Sequence, residues 1–579
     1  MATKPTYTTS QITTQLTTSW GGTLTGYQFT WLSPSTTPIT YSINTVTPTN
    51  SGIVPGEGGA SLVAMTPTQV TTARLAFQLW ADLMAKPLVE STNNPAANIT
   101  LDYSSNTGNS TYTRPDGIIN SSASSVSLTS AQVWMATTWS TNADSGMALG
   151  AYGLLTMIHE IGHALGISHP GTYNAGSGGT ITYATNAVFA QDNRQYTVMS
   201  YFGGYLPGSG WQQDGTTLTY IYPQTPMVYD IAAIQFKYGA NMTTRTDNTT
   251  YGFNSNVIGI EAAIYDFKIN KTPILTIWDA GGVDTLDLSG SAANQNIDLT
   301  PGAYSSVDGM TNNVAIAFGT TIERAIGGVG NDTLTGGSSS TLLDGGIGND
   351  LYIVKLAGDH LSSNLIQDSG GTNLNGGRDE IRFTSTTAST LKLNSADTGI
   401  ELVTIGTGTA ATAVSTGTTA LNIDASALKS ALTIVGNAGA NNLIGGSGND
   451  TIFGGVGNDT LTGGGGADYF VFNSTLSTSA NLDLITDFQG GVDHLQLSKS
   501  IFKSFSTTTT LSLTQFYENT TTTTVAASSA TDYLIYLYKT GGLYYDADGN
   551  KTASNPIEIA VIGSVTHPHF TVSDILLVA

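Results

Sequence analysis

His159-Glu160-Ile161-Gly162-His163-Ala164-Leu165-Gly166-Ile167-Ser168-His169 is the stretch from which the rest of this chain can be read. It follows an apolar run, Leu154-Leu155-Thr156-Met157-Ile158, that predicts a buried helix. His159 and His163 are four residues apart, which on a helix puts both imidazoles on one face, one turn apart. Two imidazoles so placed share one tetrahedral metal ion, most often zinc. Glu160 follows the first histidine directly, so it points beside the metal and suits a general base acting on water there. Gly166 breaks the helix, because glycine accepts the left-handed conformation of a sharp reversal. The reversal brings His169 back as a third ligand. A His-Glu-x-x-His alone occurs by chance; the added Gly166 and His169 make zinc the reading. His360, His494, His567 and His569 are scattered or near the C-terminus and take no part in it.

Length and composition frame the site. A chain of 579 residues is too long for one core, so two or more domains are expected. Charged residues make up 10 % of it, against roughly 25 % in an average domain. The net charge is -22, with 41 acidic residues against 19 basic ones. That balance excludes nucleic acid, whose phosphates need Lys and Arg, and suits a binder of cations. There is no cysteine. Disulfides and a thiol switch on the zinc are thereby excluded, and bound calcium is one route to robustness. Met1 to Thr6 has no apolar run behind Lys4 and does not form a Sec-type signal peptide. No stretch has some eighteen consecutive apolar residues, so no membrane span is expected.

In chain order, residues 1–20 are polar and threonine-rich and predict a flexible leader or short pro-segment. Ile39 to Ile43 and Asn98 to Tyr103 alternate as strands do. Thr66-Pro67-Thr68-Gln69 caps a helix that carries Val70, Ala73, Phe77, Trp80, Ala81 and Met84 at helical spacing. Residues 105–130 look like loop, and Ala131 to Trp139 like an edge strand able to pair with an extended substrate. A glycine-rich loop, 171–179, precedes Thr197-Val198-Met199-Ser200-Tyr201-Phe202, where Met199 would form an apolar floor under the histidines. A further helix begins at Asp230 and ends near Gly239.

From Gly327 the chain changes character. Nine-residue units begin at Gly327 and Gly345, and three more run in tandem from Gly445, Gly454 and Gly463. Each is a glycine turn followed by a short strand, and the turns offer carbonyls and an aspartate, hard oxygen ligands suited to calcium. The expected ligand positions are Gly328, Gly330 and Asp332; Gly346, Gly348 and Asp350; Gly446, Gly448 and Asp450; Gly455, Gly457 and Asp459; and Gly464, Gly466 and Asp468. These units resemble the calcium-binding nonapeptides of RTX proteins, and the resemblance implies that they stack into a parallel β-roll. Gly436 to Ile444 is a degenerate unit with Asn441 where aspartate is expected. Residues 354–435 separate the blocks and predict further β-structure of unknown purpose. A threonine run, 507–510, looks like a surface loop, and Asp574 to Ala579 ends the chain with an acidic residue before apolar ones.

The extended histidine signature with a Met-Ser-Tyr turn resembles the metzincins, and among them the serralysins, secreted bacterial zinc metalloproteases. Tyr251 to Ser255 and Trp278 to Leu286 resemble the same family. The resemblance covers about residues 25 to 350 and 436 to 500. It implies an α+β metzincin catalytic domain, a twisted sheet plus the active-site helix, followed by an all-β parallel β-roll or sandwich. It implies one catalytic zinc on His159, His163, His169 and, at rest, Tyr201, which swings away with substrate and helps hold the oxyanion. It also implies several structural calcium ions, with ligands at Arg245, Asp247, Thr249, Asp279, Gly281, Gly282, Asp284, Thr321 and Glu323 besides the repeats. Thr172 stands where the family commonly has aspartate.

The organisation expected is therefore a leader over 1–20, a catalytic domain over 21–245, a first repeat block over 246–353, a β-rich spacer over 354–435, a second block over 436–490, and a C-terminal β region over 491–579 carrying a type I secretion signal. The function expected is a secreted or cell-surface zinc endopeptidase, a monomer whose partners are protein or peptide substrates and the type I secretion apparatus. The rival is an RTX surface or S-layer-like structural protein with a vestigial or self-processing protease domain. Chelator-sensitive digestion of casein separates the two.

Overall fold

The computed structural model describes residues 4–32, 36–45, 62–105, 110–174, 180–203, 221–337, 341–361, 363–370, 377–507, 509–551 and 554–579. Met1 to Thr3 of the expected leader, residues 175–179 of the glycine-rich loop and Thr508 of the threonine run lie outside them. The chain divides into two compact units, Met1–Arg324 and Ala325–Ala579.

The first unit holds a seven-stranded sheet among the described residues: β1 (Gln28–Thr30), β2 (Ile39–Ile43), β3 (Leu62–Val63), β4 (Leu88–Glu90), β5 (Ile99–Ser104), β6 (Tyr112–Asn120) and β7 (Ser125–Ala136). The main order is β1-β7-β5-β2-β4, with β3 on β5 and β6 on β7. Its α-helices among the described residues are α1 (Thr9–Thr18), α2 (Pro67–Ala81), α3 (Tyr152–Ala164), α4 (Tyr183–Asn186), α5 (Val228–Tyr238) and α6 (Ala262–Tyr265). The cap expected at Thr66 forms a reciprocal box with Gln69. Behind it Phe77 and Trp80 are fully buried. The Trp80 indole donates to the carbonyl of Ile158 at 3.0 Å and so ties α2 to α3.

The residues expected as a flexible leader or short pro-segment include a helix, in which Thr8 caps α1 in a box with Gln11, and Ile12 and Leu16, one turn apart, are fully buried. Two expectations for this unit are corrected. The loop expected over 105–130 holds most of a long antiparallel pair, β6 on β7, running from Tyr112↔Trp134 to Asn120↔Ser125. Ser121, Ser122, Ser124 and Thr129 face water on this ribbon, where a polar strand costs little, whereas Thr111 and Thr113 turn inward. The edge strand expected at Ala131 to Trp139 is the inner half of β7, paired with β5 through Ile99↔Ala131 to Ser104↔Ala136. β6 is the outer strand, pairing with β7 alone among the described strands.

The second unit is almost entirely short strands. In one sheet Leu402–Ile405, Thr433–Val435, Thr451–Phe453, Tyr469–Phe472 and His494–Ser498 pair in parallel, in that order. In a second, Asn422–Asp424, Asn442–Ile444, Thr460–Thr462 and Asp483–Ile485 do the same. Successive nonapeptides feed alternate sheets, so partners such as Ile452↔Phe470 and Leu443↔Leu461 are 18 residues apart. Leu334, Ile452 and Leu461, the inward positions expected from the sequence, are 0–1 % exposed. The spacer joins the same sheets through Glu380–Phe383 and Thr390–Lys392. The last strand, Ile575–Val578, pairs in parallel with His494–Ser498.

Candidate metal centres

The helix α3 ends as its sequence demands. The amide of Ile167 donates to the carbonyl of Gly162 and that of Gly166 to His163, both at 2.9 Å, which is a Schellman closure. Gly166 has φ +86°, and a side chain there would strike the Phe29 carbonyl. The reversal returns His169 to the helix face. His163 Nε2 lies 3.0 Å from His169 Nε2, which is 3.3 Å from His159 Nε2.

Those distances have a chemical meaning. Each Nδ1 faces a backbone carbonyl: Val198 for His159 at 2.8 Å, Ile167 for His163 at 2.8 Å, and Tyr173 for His169 at 2.9 Å. A carbonyl only accepts, so each Nδ1 carries the proton and each Nε2 presents a lone pair. Three lone pairs within hydrogen-bond distance, with no proton among them, are the donor set of one cation. Ligands about 2.0–2.1 Å from a tetrahedral zinc are themselves roughly 3.3 Å apart. Burial, and then the neighbouring imidazoles, keep His159 and His169 well below the ordinary imidazole range, and burial moves His163 down to about 4. All three are therefore neutral, as ligands must be. The donor set fits zinc.

Around this triad the other expected residues assemble. Met199 is fully buried, and its sulfur sits so close under α3 that a side chain on Gly162 would meet it and Trp80. Tyr201 sets its ring edge-on to His169, centroids 4.5 Å apart. Glu160 is buried, and burial pushes its carboxyl up to about 7. Two clefts of about 440 and 300 Å³ both reach Glu160 and Tyr201, and both reach β6's side of the site at Thr111.

Sequence reasoning missed a supporting layer. The Thr113 hydroxyl of β6 lies 2.7 Å from Glu160 Oε2 and 2.8 Å from the Glu160 carbonyl, and its one proton serves either. Asp230 accepts from the Thr197 hydroxyl at 2.5 Å and from the amides of Val198 and Met227 at 2.7 and 2.8 Å, which pins the methionine turn. Asp192 accepts from the hydroxyls of Tyr173 and Ser200, both at 2.7 Å, and Tyr173 carries the carbonyl that orients His169. Asp230 at the start of a helix was the one local signal; Thr113, Tyr173 and Asp192 act through space from segments with no motif.

The oxygen sites are built differently. In the first unit, Asp284 Oδ1 accepts the Thr249 amide at 2.7 Å, and Glu323 Oε2 accepts the Asp284 amide at 2.7 Å. Asp279 accepts the Gly281 amide at 2.9 Å and the Tyr251 hydroxyl at 2.6 Å. Gly282 packs against the carbonyl of Asp247. Arg245 spends its guanidinium on Asp82, Glu261 and the Trp278 carbonyl, so only its own carbonyl is left for a cation. Thr321 is exposed beside this group.

In the second unit four of the repeat aspartates accept the amide of the equivalent residue one coil earlier, while Asp332 accepts the Gly328 amide of its own turn at 2.8 Å. Asp350 takes Asp332 at 2.7 Å, Asp450 takes Leu432 at 2.8 Å, Asp459 takes Asn441 at 2.8 Å, and Asp468 takes Asp450 at 2.8 Å. The glycines of each turn lie on the carbonyls of the turn before: Gly346 on Gly328, Gly348 on Gly330, Gly455 on Asn437, Gly457 on Gly439, Gly464 on Gly446 and Gly466 on Gly448. Asp332, Asp350, Asp450, Asp459 and Asp468 are all 0–1 % exposed, and Oδ2 of Asp284, Asp350 and Asp459 has no hydrogen-bond partner. Burial, aided in some by neighbouring carboxylates, pushes Asp284, Asp350, Asp459 and Asp468 up to about 7. Orphaned buried carboxylate oxygens are what a hard cation satisfies. Asn441 differs: its amide donates to the Leu421 carbonyl at 2.6 Å, so that turn is closed by protein alone. The ladder also takes in Asp483, on the Asp459 amide at 3.0 Å, and Asp493, on Asp468 at 3.0 Å, which the repeat motif does not mark.

The helix, its returning histidine and the methionine turn define a metzincin-type catalytic domain, which is followed here by RTX repeats. Comparison with known families agrees. Residues 61–194 match the family described as Matrixin, 240–414 the Peptidase M10 serralysin C terminal, and 435–470 the RTX calcium-binding nonapeptide repeat. The chain is 39 % identical over 305 residues to Serralysin B of Dickeya chrysanthemi, which is 51 % of this chain and 58 % of that protein. It is 39 % identical over 281 residues to Serralysin of Photorhabdus luminescens, 48 % and 54 % of the two chains. It is 47 % identical over 195 residues to Serralysin of Proteus mirabilis, 34 % and 38 % of the two. The chain thus spans little more than half the length of the first two of these relatives. The resemblance to the serralysins read from the sequence is borne out. A matrixin-type domain implies a catalytic zinc, and RTX repeats imply calcium.

Proposed function

We propose that the chain is a secreted zinc-dependent endopeptidase that cleaves peptide bonds in proteins. The observation that carries this reading is the convergence of three neutral Nε2 atoms beside a buried carboxylate. His159, His163 and His169 would hold one zinc ion, with Tyr201 as a further ligand at rest. Bound there, zinc supplies Lewis-acid polarisation of water and of the scissile carbonyl. Glu160, its proton affinity raised by burial toward neutrality, takes the proton of the attacking water and passes it to the leaving amine. The Tyr201 hydroxyl donates to the oxyanion as it develops. An extended substrate pairs along the outer strand β6, whose Thr113 holds Glu160 in place. The repeats are read as a parallel β-roll holding several calcium ions between its turns, with the first-unit group at Asp279, Asp284 and Glu323 as a further calcium site. RTX repeats suggest export by a type I apparatus, and no helix among the described residues is long and apolar enough to cross a membrane.

The structural-protein alternative is not favoured: its protease domain would have lost a ligand or the glutamate, and all are in place. The test is Glu160→Gln in the full chain. It should keep its zinc, measured by elemental analysis, and lose peptidase turnover on casein by about 10²–10⁴-fold. Wild-type turnover in that variant would remove Glu160 from the mechanism.

A further inference from the structure

The middle of the chain, to which the sequence assigns no purpose, repeats the first unit's oxygen site bond for bond. The Tyr251 hydroxyl donates to Asp279 at 2.6 Å, and the Tyr352 hydroxyl to Asp368 at 2.6 Å. Asp279 accepts the Gly281 amide at 2.9 Å, and Asp368 the Gly370 amide at 2.8 Å. Asp284 accepts the Thr249 amide at 2.7 Å, and Asp379 the Asp350 amide at 2.8 Å. Glu323 accepts the Asp284 amide at 2.7 Å, and Glu401 the Asp379 amide at 2.9 Å. The two groups share little sequence register, because four residues lie between Asp279 and Asp284 and ten between Asp368 and Asp379.

The described glycines beside Asp368 and Asp379 also stack as those of the nonapeptides do. Gly370 lies on the carbonyl of Gly346 and Gly377 on that of Gly348, so close that a side chain at either would collide. Gly346 and Gly348 lie in the same way on Gly328 and Gly330. Gly370, Gly377 and Asp379 therefore continue the ladder, disguised in the sequence by the longer step between Asp368 and Asp379, of which residues 371–376 lie outside the described residues.

We propose that Asp350, Asp368 and Asp379 form a calcium site in this middle segment. One carboxylate oxygen from each lies within 4.8 Å of the other two. Two oxygens bound at about 2.4 Å to one calcium lie at most about 4.8 Å apart, so the spacing suits that ion. Asp350 and Asp379 are 1 % and 0 % exposed, and Oδ2 of each has no hydrogen-bond partner. Their positive neighbours are turned elsewhere: Arg378 is exposed, and Arg382 is paired with Glu380 at 2.7 Å. Where the first-unit site has Thr249, this one has Asp350, so it carries a further carboxylate and calls more strongly for a divalent cation.

The proposal rests on reading the repeats as calcium sites, and the test separates the two. In the full chain, with Glu160→Gln to prevent self-digestion, bound calcium is counted by equilibrium dialysis against the radioactive ion. Asp379→Asn keeps the Oδ1 that accepts the Asp350 amide and removes one charge; Asp368→Asn serves if that variant does not fold. The expected result is one calcium fewer per chain, with a melting temperature below the parent's in calcium and above it in chelator, since the variant removes a repulsion that only the ion otherwise cancels. An unchanged calcium count, or a melting temperature lowered in both conditions, overturns the proposal. Asp459→Asn in the second block is the reference. If it loses calcium and the Asp379 variant does not, this site alone is wrong; if the parent binds none, the calcium reading of the repeats is wrong.

Discussion

The histidine centre and the aspartate ladder are both proposed ligand sets, and they are prepared in opposite ways. In α3 the ligands are neutral, each fixed by its own carbonyl within 2.9 Å, and they are carried on a helix whose cap, floor and packing owe nothing to the metal. In the repeats the ligands are buried acids stacked coil on coil, and several of their oxygens have no partner. The first arrangement stores a site; the second stores a penalty that a cation removes. Binding energy at the histidines is therefore free to serve chemistry, whereas binding energy at the aspartates is folding energy. A metal-binding pattern in a sequence says which atoms are offered; the polarity and satisfaction of those atoms say whether the fold waits for the ion.

The largest effect expected from this contrast is on the pH dependence of the second unit without calcium. Burial holds Asp459, Asp468 and Asp483 up to about 7 and Asp379 up to about 8, far above their unfolded range. Between about pH 4 and 7 the folded chain then binds protons that the unfolded chain has released, so stability falls as pH rises through that window. The full chain in chelator should melt at a higher temperature at pH 5 than at pH 8, by about 4 °C or more for a unit of this size. Excess calcium should flatten or reverse the trend. A chelated chain that melts higher at pH 8 would break the contrast.

A smaller effect is expected at the histidine centre. The Thr113 hydroxyl donates to a carboxylate that burial has raised, and it pulls that carboxyl back down. Thr113→Val should lower kcat/KM by about tenfold or somewhat more, the worth of one hydrogen bond to a charged group. It should also shift the acidic limb of the pH profile upward, because the base is then harder to ionise. A loss of rate with the limb unmoved would make Thr113 a packing residue only.

Much of this was legible because it is local. The i, i+4 histidines, the Gly166 reversal and the returning His169 are encoded within eleven residues, and Met199 to Tyr201 in three. The ladder was legible wherever the 18-residue step is unbroken, as from Asp450 to Asp468. It was hidden where an insertion stretches the step: 24 residues from Asp459 to Asp483, 25 from Asp468 to Asp493, and 29 from Asp350 to Asp379. Thr113 was hidden for a different reason. It lies on a polar strand that composition assigns to loop, and its partner Glu160 is 47 residues away. The helix α1 was missed because threonines dominate it, although Ile12 and Leu16 give it a buried stripe.

Hydrogen exchange followed by mass spectrometry, on the full chain carrying Glu160→Gln, tests the contrast most directly. Exchange is compared in calcium and in a calcium-selective chelator that leaves zinc in place. The account expects the strands from Asn442 to Ser498 to lose protection when calcium is withdrawn, while the helix Tyr152–Ala164 keeps it. Equal protection of those strands in both conditions, or loss at the helix before the repeats, would contradict it.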